Sequence, residues 1–186
     1  RLSAAVTVAA WSGLRYGELF ALSRKHVDLE SGTVRVERAL IQISGQPLSF
    51  GPTKTARSRR TVHLPRRVVD TLSAHLGEFV DNSPDALLFT LESGAPVTTP
   101  RLSQFFSKAR AVVDREDLTW HDLRHTGAML AYRIGASVPD VQKRLGHTTM
   151  RAAQIYAHAA DDSDRLLAER LDALLPPLDG PRLRAM

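Results

Sequence analysis

Residues 119–136, TWHDLRHTGAMLAYRIGA, bring His121, Asp122, Arg124 and His125 into one short run. Two histidines four apart on a helix, the first followed by an acid, is the spacing by which zinc proteases present paired imidazoles. Here the acid is Asp122 rather than Glu, and Arg124 stands between the rings. A guanidinium does not lose its proton and repels a metal ion. The sequence has no cysteine to supply a thiolate as third ligand. An anion suits all three side chains better. Arginine offers a planar fork of donors matched to phosphate, and histidine can donate, accept or shuttle a proton. No metal is therefore expected, and a plain surface helix with incidental histidines is the alternative.

These side chains need a frame. At about 100° per residue, Leu123, Gly127, Leu130 and Ile134 share a face that is the expected core stripe, with His121, Arg124 and His125 on the opposite side. Thr119 is the expected cap and Gly135 the expected stop. Upstream, residues 1–11 read as an apolar helix stopped by Ser12-Gly13, and a short helix follows through Gly17-Glu18-Leu19 to Leu22. Val34 and Val36 alternate with Arg35 and Glu37, the stretch SGQP (44–47) turns, and 61–64 alternates again, which predicts a small antiparallel sheet of about three strands. Val68, Val69, Leu72, Leu76 and Phe79 fall at helical spacing, and NSPD (82–85) breaks the pattern. Thr99-Pro100 opens a helix through Val113. Pro139 and Gly146 bracket another, Thr148 or Thr149 caps one through Tyr156, and a last helix over 161–175 meets Pro176-Pro177. The fold class expected is α+β, mainly helical.

The chain has 186 residues, 43% hydrophobic and 24% charged, enough for one substantial domain. Without cysteine, disulfide frameworks, iron–sulfur clusters and cysteine nucleophiles are excluded. No apolar run approaches the ~20 residues that span a bilayer, and nothing resembles a signal peptide, so the expected compartment is cytoplasmic, with no membrane partner. The chain opens inside a helical pattern without an initiator Met, as a domain of a longer protein would. A net charge of +5 favours a polyanionic partner. The segment TKTARSRRTVHLPRR (53–67) concentrates Lys54, Arg57, Arg59, Arg60, Arg66 and Arg67 with no acid. It reads as a phosphate-tracking surface or as a solvated basic face.

Five stretches occur in order: SGLRYGEL (12–19), PTKTARSRRTVHLP (52–65), HDLRHT (121–126), RLGH (144–147) and AQIYAH (153–158). Together they resemble the catalytic domain of the tyrosine recombinases, the phage integrase family, over nearly the whole chain. The resemblance implies a tyrosine that attacks a DNA phosphodiester, becomes joined to the 3′ phosphate and frees a 5′ hydroxyl, after which a second strand's 5′ hydroxyl reverses the step. By motif, Tyr156 is the nucleophile, Arg15 and Arg124 clamp the non-bridging oxygens, and Lys54 is the general acid for the leaving 5′ oxygen. His121 assists proton transfer at the tyrosine, His147 hydrogen-bonds the phosphate, and Glu18 and His125 are accessory. Arg57, Arg59 and Arg60 would contact DNA. The residue types fit this chemistry independently. An unperturbed tyrosine has a pKa of about 10, so attack near neutrality needs a proton acceptor and nearby positive charge. Fixed guanidinium donors stabilise charge growing on the phosphoryl oxygens, and the phosphotyrosine keeps the energy of the broken linkage, so no cofactor is implied.

Plainer readings stand beside these. Arg15 could be an ion pair with Glu18 at the i, i+3 spacing. Lys54 competes with Arg57, Arg59 and Arg60, and His147 could serve a helix C-terminus. Tyr16 adjoins a clamp arginine, and Tyr132 lies within the clamp helix. The resemblance implies double-stranded DNA with paired recombination sites as partner and self-association, as a tetramer, on it. The catalytic domain would span 1–175, with 161–175 docking in cis or onto a neighbouring protomer, followed by a tail over 176–186. The alternatives are a type IB-like topoisomerase, a non-catalytic DNA-binding regulator on the same fold, and a metallohydrolase.

Overall fold

The computed structural model describes residues 1–43, 45–53 and 58–146. Helix α1 (Ser3–Ser12) is built from small and β-branched residues, and Ala4, Ala5, Val8, Ala9 and Ser12 are all buried. Burial on several sides suits a helix that others pack around. Helix α3 (Arg66–Phe79) and helix α5 (Trp120–Arg133) both lie against it. Gly13 ends α1 in the left-handed region, its N–H bonded to the Ala9 carbonyl. The short helix α2 (Tyr16–Leu19) follows.

The strands form two antiparallel sheets. β1 (Val27–Asp28), β2 (Thr33–Val36) and β5 (Arg60–His63) lie in the order β1-β2-β5, with Val34 opposite Val62 and Val36 opposite Arg60. β2 and β5 fall on the two stretches whose alternation predicted strands, and β1, at 27–28, is the strand the sequence did not place. The expected turn over 44–47 lies between β3 (Arg38–Ile41) and β4 (Ser49–Pro52), whose pairing as a separate hairpin was not expected. Its sequence does not alternate polar with apolar, since Ala39, Leu40 and Ile41 run together, and Ile41 and Phe50 stay substantially exposed while Leu40 is buried.

Helix α4 (Thr99–Ala111) leads to α5, and Trp120 at the start of α5 packs on Phe20 and Phe106 with ring centroids 5.7 and 5.4 Å away. Thr119 is the N-cap there, as expected, and Asp122 Oδ2 accepts from its N–H at 2.6 Å and from its hydroxyl at 2.7 Å. The core stripe of α5 follows the expected one only in part. Gly127 is buried as expected, but Leu123 and Leu130 are only half-buried and Ile134, beyond the helix, is 70% exposed, whereas Arg124, Ala128 and Tyr132 are buried. The cause is close packing on α1. A Cβ on Gly127 would stand 2.8 Å from the Ala10 carbonyl oxygen, so the helix turns this side inward. Helix α6 (Val138–Leu145), capped by Ser137 and closed by Gly146 at φ 66°, completes a small second core of Ala128, Tyr132, Val141 and Leu145. The helices expected over 148–156 and 161–175 lie outside the described residues. Among the described residues no helix is long and apolar enough to cross a membrane.

Candidate active site

The C-terminal end of α6 is where distant segments meet. The last carbonyls of a helix have no partner within it and carry partial negative charge. Here three successive ones each accept from a different arginine. Arg60 Nε donates to the Arg144 carbonyl at 2.7 Å, Arg124 Nη2 to the Leu145 carbonyl at 2.8 Å, and Arg15 Nη2 to the Gly146 carbonyl at 3.2 Å. Arg124 also donates through Nη1 to the Gly13 carbonyl, so one guanidinium joins the ends of α1 and α6. Arg144 fastens the same junction from α6, with Nη2 donating to the carbonyls of Trp11 at 2.7 Å and His63 at 3.1 Å.

Glu18 sits among these cations and is 4% exposed. Its Oε1 accepts from Arg15 Nη1 at 2.9 Å and Arg60 Nη1 at 3.2 Å. Its Oε2 accepts from the Arg15 backbone N–H and from Arg60 Nη2, both at 2.9 Å. Burial alone would raise this carboxyl, but the hydrogen bonds and charges of Arg60 and Arg15 outweigh it and hold the pKa below its ordinary value. The expected ion pair between Arg15 and Glu18 is therefore present, and it does not consume Arg15, whose side chain stays 42% exposed.

His121 and His125 project from α5 beside Arg124 in sequence, their rings edge to face with centroids 4.7 Å apart. Burial, His125 and the Arg124 charge hold His121 below its ordinary pKa, which keeps the imidazole neutral and able to accept a proton near pH 7. Among the described residues no group of three His, Asp or Glu is placed to hold a metal ion.

Two of the three tyrosines are built into the scaffold. Tyr16 donates its hydroxyl to the Val97 carbonyl at 2.6 Å, and burial raises its pKa. Tyr132 is 8% exposed in the core between α5 and α6. Tyr156, His147, Lys54 and Arg57 lie outside the described residues. Arg59 is exposed. Arg60 is not. Its side chain is 6% exposed and four of its contacts are internal, to Glu18 twice, to the Arg144 carbonyl and to the Ser58 carbonyl at 3.0 Å. Strand parity carried the signal that the basic run obscured: Arg60 shares a face with Val62, which is buried, while Arg59, Thr61 and His63 alternate outward. Arg144, too, was not foreseen as a fastening residue.

The sequence matches the phage integrase family over residues 1–163. It is 37% identical over 171 residues to the prophage phiRv2 integrase of Mycobacterium tuberculosis, covering 91% of this chain and 45% of that protein. The integrase of Mycobacterium phage FRAT1 is also 37% identical, over 91% of this chain and 52% of its own length. The chain thus spans about half the length of these relatives. In structure it resembles the Tn1549 transposon integrase, solved in complex with a circular intermediate DNA, with a TM-score of 0.76 at 23% identity over 91% of this chain and 58% of that one. XerA recombinase gives a TM-score of 0.70 at 25% identity, over 92% and 56%. Motif order, fold and sequence agree: the chain belongs to the phage integrase family.

Proposed function

We propose that this chain is the catalytic domain of a site-specific DNA recombinase that cuts and rejoins strands through Tyr156. The observation that carries this is the meeting of Arg15 and Arg124, from opposite parts of the sequence, on neighbouring carbonyls at the end of α6. Such preset donors suit a phosphoryl group gaining negative charge and need no rearrangement at the moment of reaction.

In the proposed reaction the Tyr156 phenol oxygen attacks the phosphorus, its proton passes toward neutral His121, and the bond from phosphorus to the 5′ oxygen breaks. Lys54 protonates that oxygen, leaving a free 5′ hydroxyl and a 3′-phosphotyrosine. Arg15, Arg124 and His147 hold the non-bridging oxygens, while Glu18 and His125 support them. One phosphoester replaces another, so the step balances without ATP, redox chemistry or a metal. The substrate is double-stranded DNA with paired sites, bound in part through Arg57 and Arg59, and strand exchange runs in a tetramer. The catalytic unit spans 1–175, where residues 161–175 dock in cis or on a neighbour, and 176–186 form a tail.

A nicked suicide substrate, from which the short 5′-hydroxyl strand diffuses away, tests the reading in the presence of excess EDTA. A covalent adduct that maps to the Tyr156 peptide and carries DNA by its 3′ phosphate is expected. Attachment through a 5′ phosphate, or cleavage without any adduct, would contradict it.

A further inference from the structure

We infer that Arg60 is a positioning residue for the reaction and makes no contact with DNA: through Glu18 it fixes the guanidinium of Arg15, and directly it fixes the end of α6. This rests on the proposed function for the part played by Arg15. The geometry is that of a relay. Glu18 presents two edges of its carboxylate to two arginines, and Arg60 occupies one while Arg15 and its backbone N–H take the other. A fork-to-fork pair sets the plane of the carboxylate as well as its position, which a lysine's point charge cannot do. The pair is almost wholly buried, with Arg60 6% and Glu18 4% exposed, so water screens little of it. Arg15 is the exposed member, at 42%, and the one available to a ligand.

The same guanidinium also supports the turn after α6. Its Nε holds the Arg144 carbonyl, and its Nη1 lies where a side chain on Gly146 would be, 2.8 Å from an ideal Cβ. Gly146 is in turn bonded through its carbonyl to Arg15. Arg60 therefore touches both supports of Arg15, the carboxylate and the carbonyl-bearing turn. A groove of about 710 Å³ between β5 and α6, lined among others by Arg59, Thr61, Lys143 and Gly146, reaches Arg60 from solvent. A small cation could enter there.

The test compares the full chain with Arg60→Ala, Arg60→Lys, Arg15→Ala and the Arg60→Ala/Arg15→Ala double variant. Single-turnover adduct formation at saturating DNA should fall on the order of a hundredfold in Arg60→Ala, as expected for a misplaced reacting group. DNA affinity and its salt slope should stay unchanged. The double variant should be no slower than Arg15→Ala, because residues acting as a unit are not additive. Millimolar guanidinium should restore part of the rate to Arg60→Ala. A weaker affinity with a flatter salt slope and an unchanged saturated rate would make Arg60 a phosphate contact and overturn the inference, as would independent losses in the double variant. If Arg60→Ala does not fold, Arg60→Lys decides: a folded protein cleaving at the wild-type rate refutes the fork requirement. A readout independent of activity is the guanidinium NMR signal of Arg15, which should be resolved in wild type and collapse to the free-arginine position in Arg60→Ala. Its persistence there would overturn the linkage. Its collapse, in a chain whose wild-type form yields no adduct, would uphold the linkage while refuting the recombinase reading.

Discussion

Single side chains here serve as structure and as chemistry at once, and their titration separates the two uses. Glu18 has a depressed carboxyl because Arg60 and Arg15 outweigh its burial. A depressed carboxyl stabilises the fold fully above its unfolded value, near 4.3, and loses that contribution as pH falls through the lower folded value. Denaturant midpoints of wild type and Glu18→Gln should accordingly differ most near neutrality and converge in acid. A gap that stays constant with pH would show that the charge of Glu18 adds nothing. His121 is depressed as well, by burial, His125 and Arg124. If it accepts the tyrosine's proton, its neutral form must persist below the ordinary histidine value of about 6.5. The acid limb of the single-turnover cleavage rate should have its midpoint below that value, and a midpoint at or above it would remove His121 from the role.

At the scale of the elements, the decisive contact is that between α1 and α5. Alanine is favoured over glycine by about 1 kcal/mol inside an exposed helix. At position 127 the new methyl would meet the Ala10 backbone oxygen at 2.8 Å, and overpacking costs about 1–3 kcal/mol. The second effect should win, so Gly127→Ala should lower the urea midpoint, and a raised midpoint would show that α5 yields without cost. The ends of these helices were legible in the sequence because capping is local chemistry: Thr119 with Asp122, and Gly13 and Gly146 as stops, need only neighbouring residues. Their buried faces were less so. The inward turn of Arg124 depends on how closely α1 approaches, and the exposure of Ile134 on where α5 ends, both set by partners distant in the chain. The pairing of β3 with β4 escaped because their sequences, RALI and SFGP, do not alternate polar with apolar residues. Of the site, the motifs pointed to Arg15, Glu18 and Arg124, which the fold gathers around the ends of α1, α2 and α6, and to His121 in the first turn of α5. They did not reveal that Arg60 belongs to its buried support, since charge composition hides strand parity.

Over the whole molecule, positive charge is divided between inside and outside. Arg60 is spent on the interior, and Arg59 is left at the surface. Each lost phosphate contact should flatten the slope of log K against log salt by about 0.9. Replacing Arg57 and Arg59 together by Ala should flatten it by nearly two such steps, and an unchanged slope would make the run a solvated face. The central claim is that one phenol of this chain becomes a DNA ester. A denaturing gel of a suicide-substrate reaction, run with wild type and with Tyr156→Phe, Tyr16→Phe and Tyr132→Phe in turn, tests it most directly. Adducts should vanish only in the Tyr156 variant, whose DNA affinity should match wild type, and an adduct surviving in Tyr156→Phe would contradict the account.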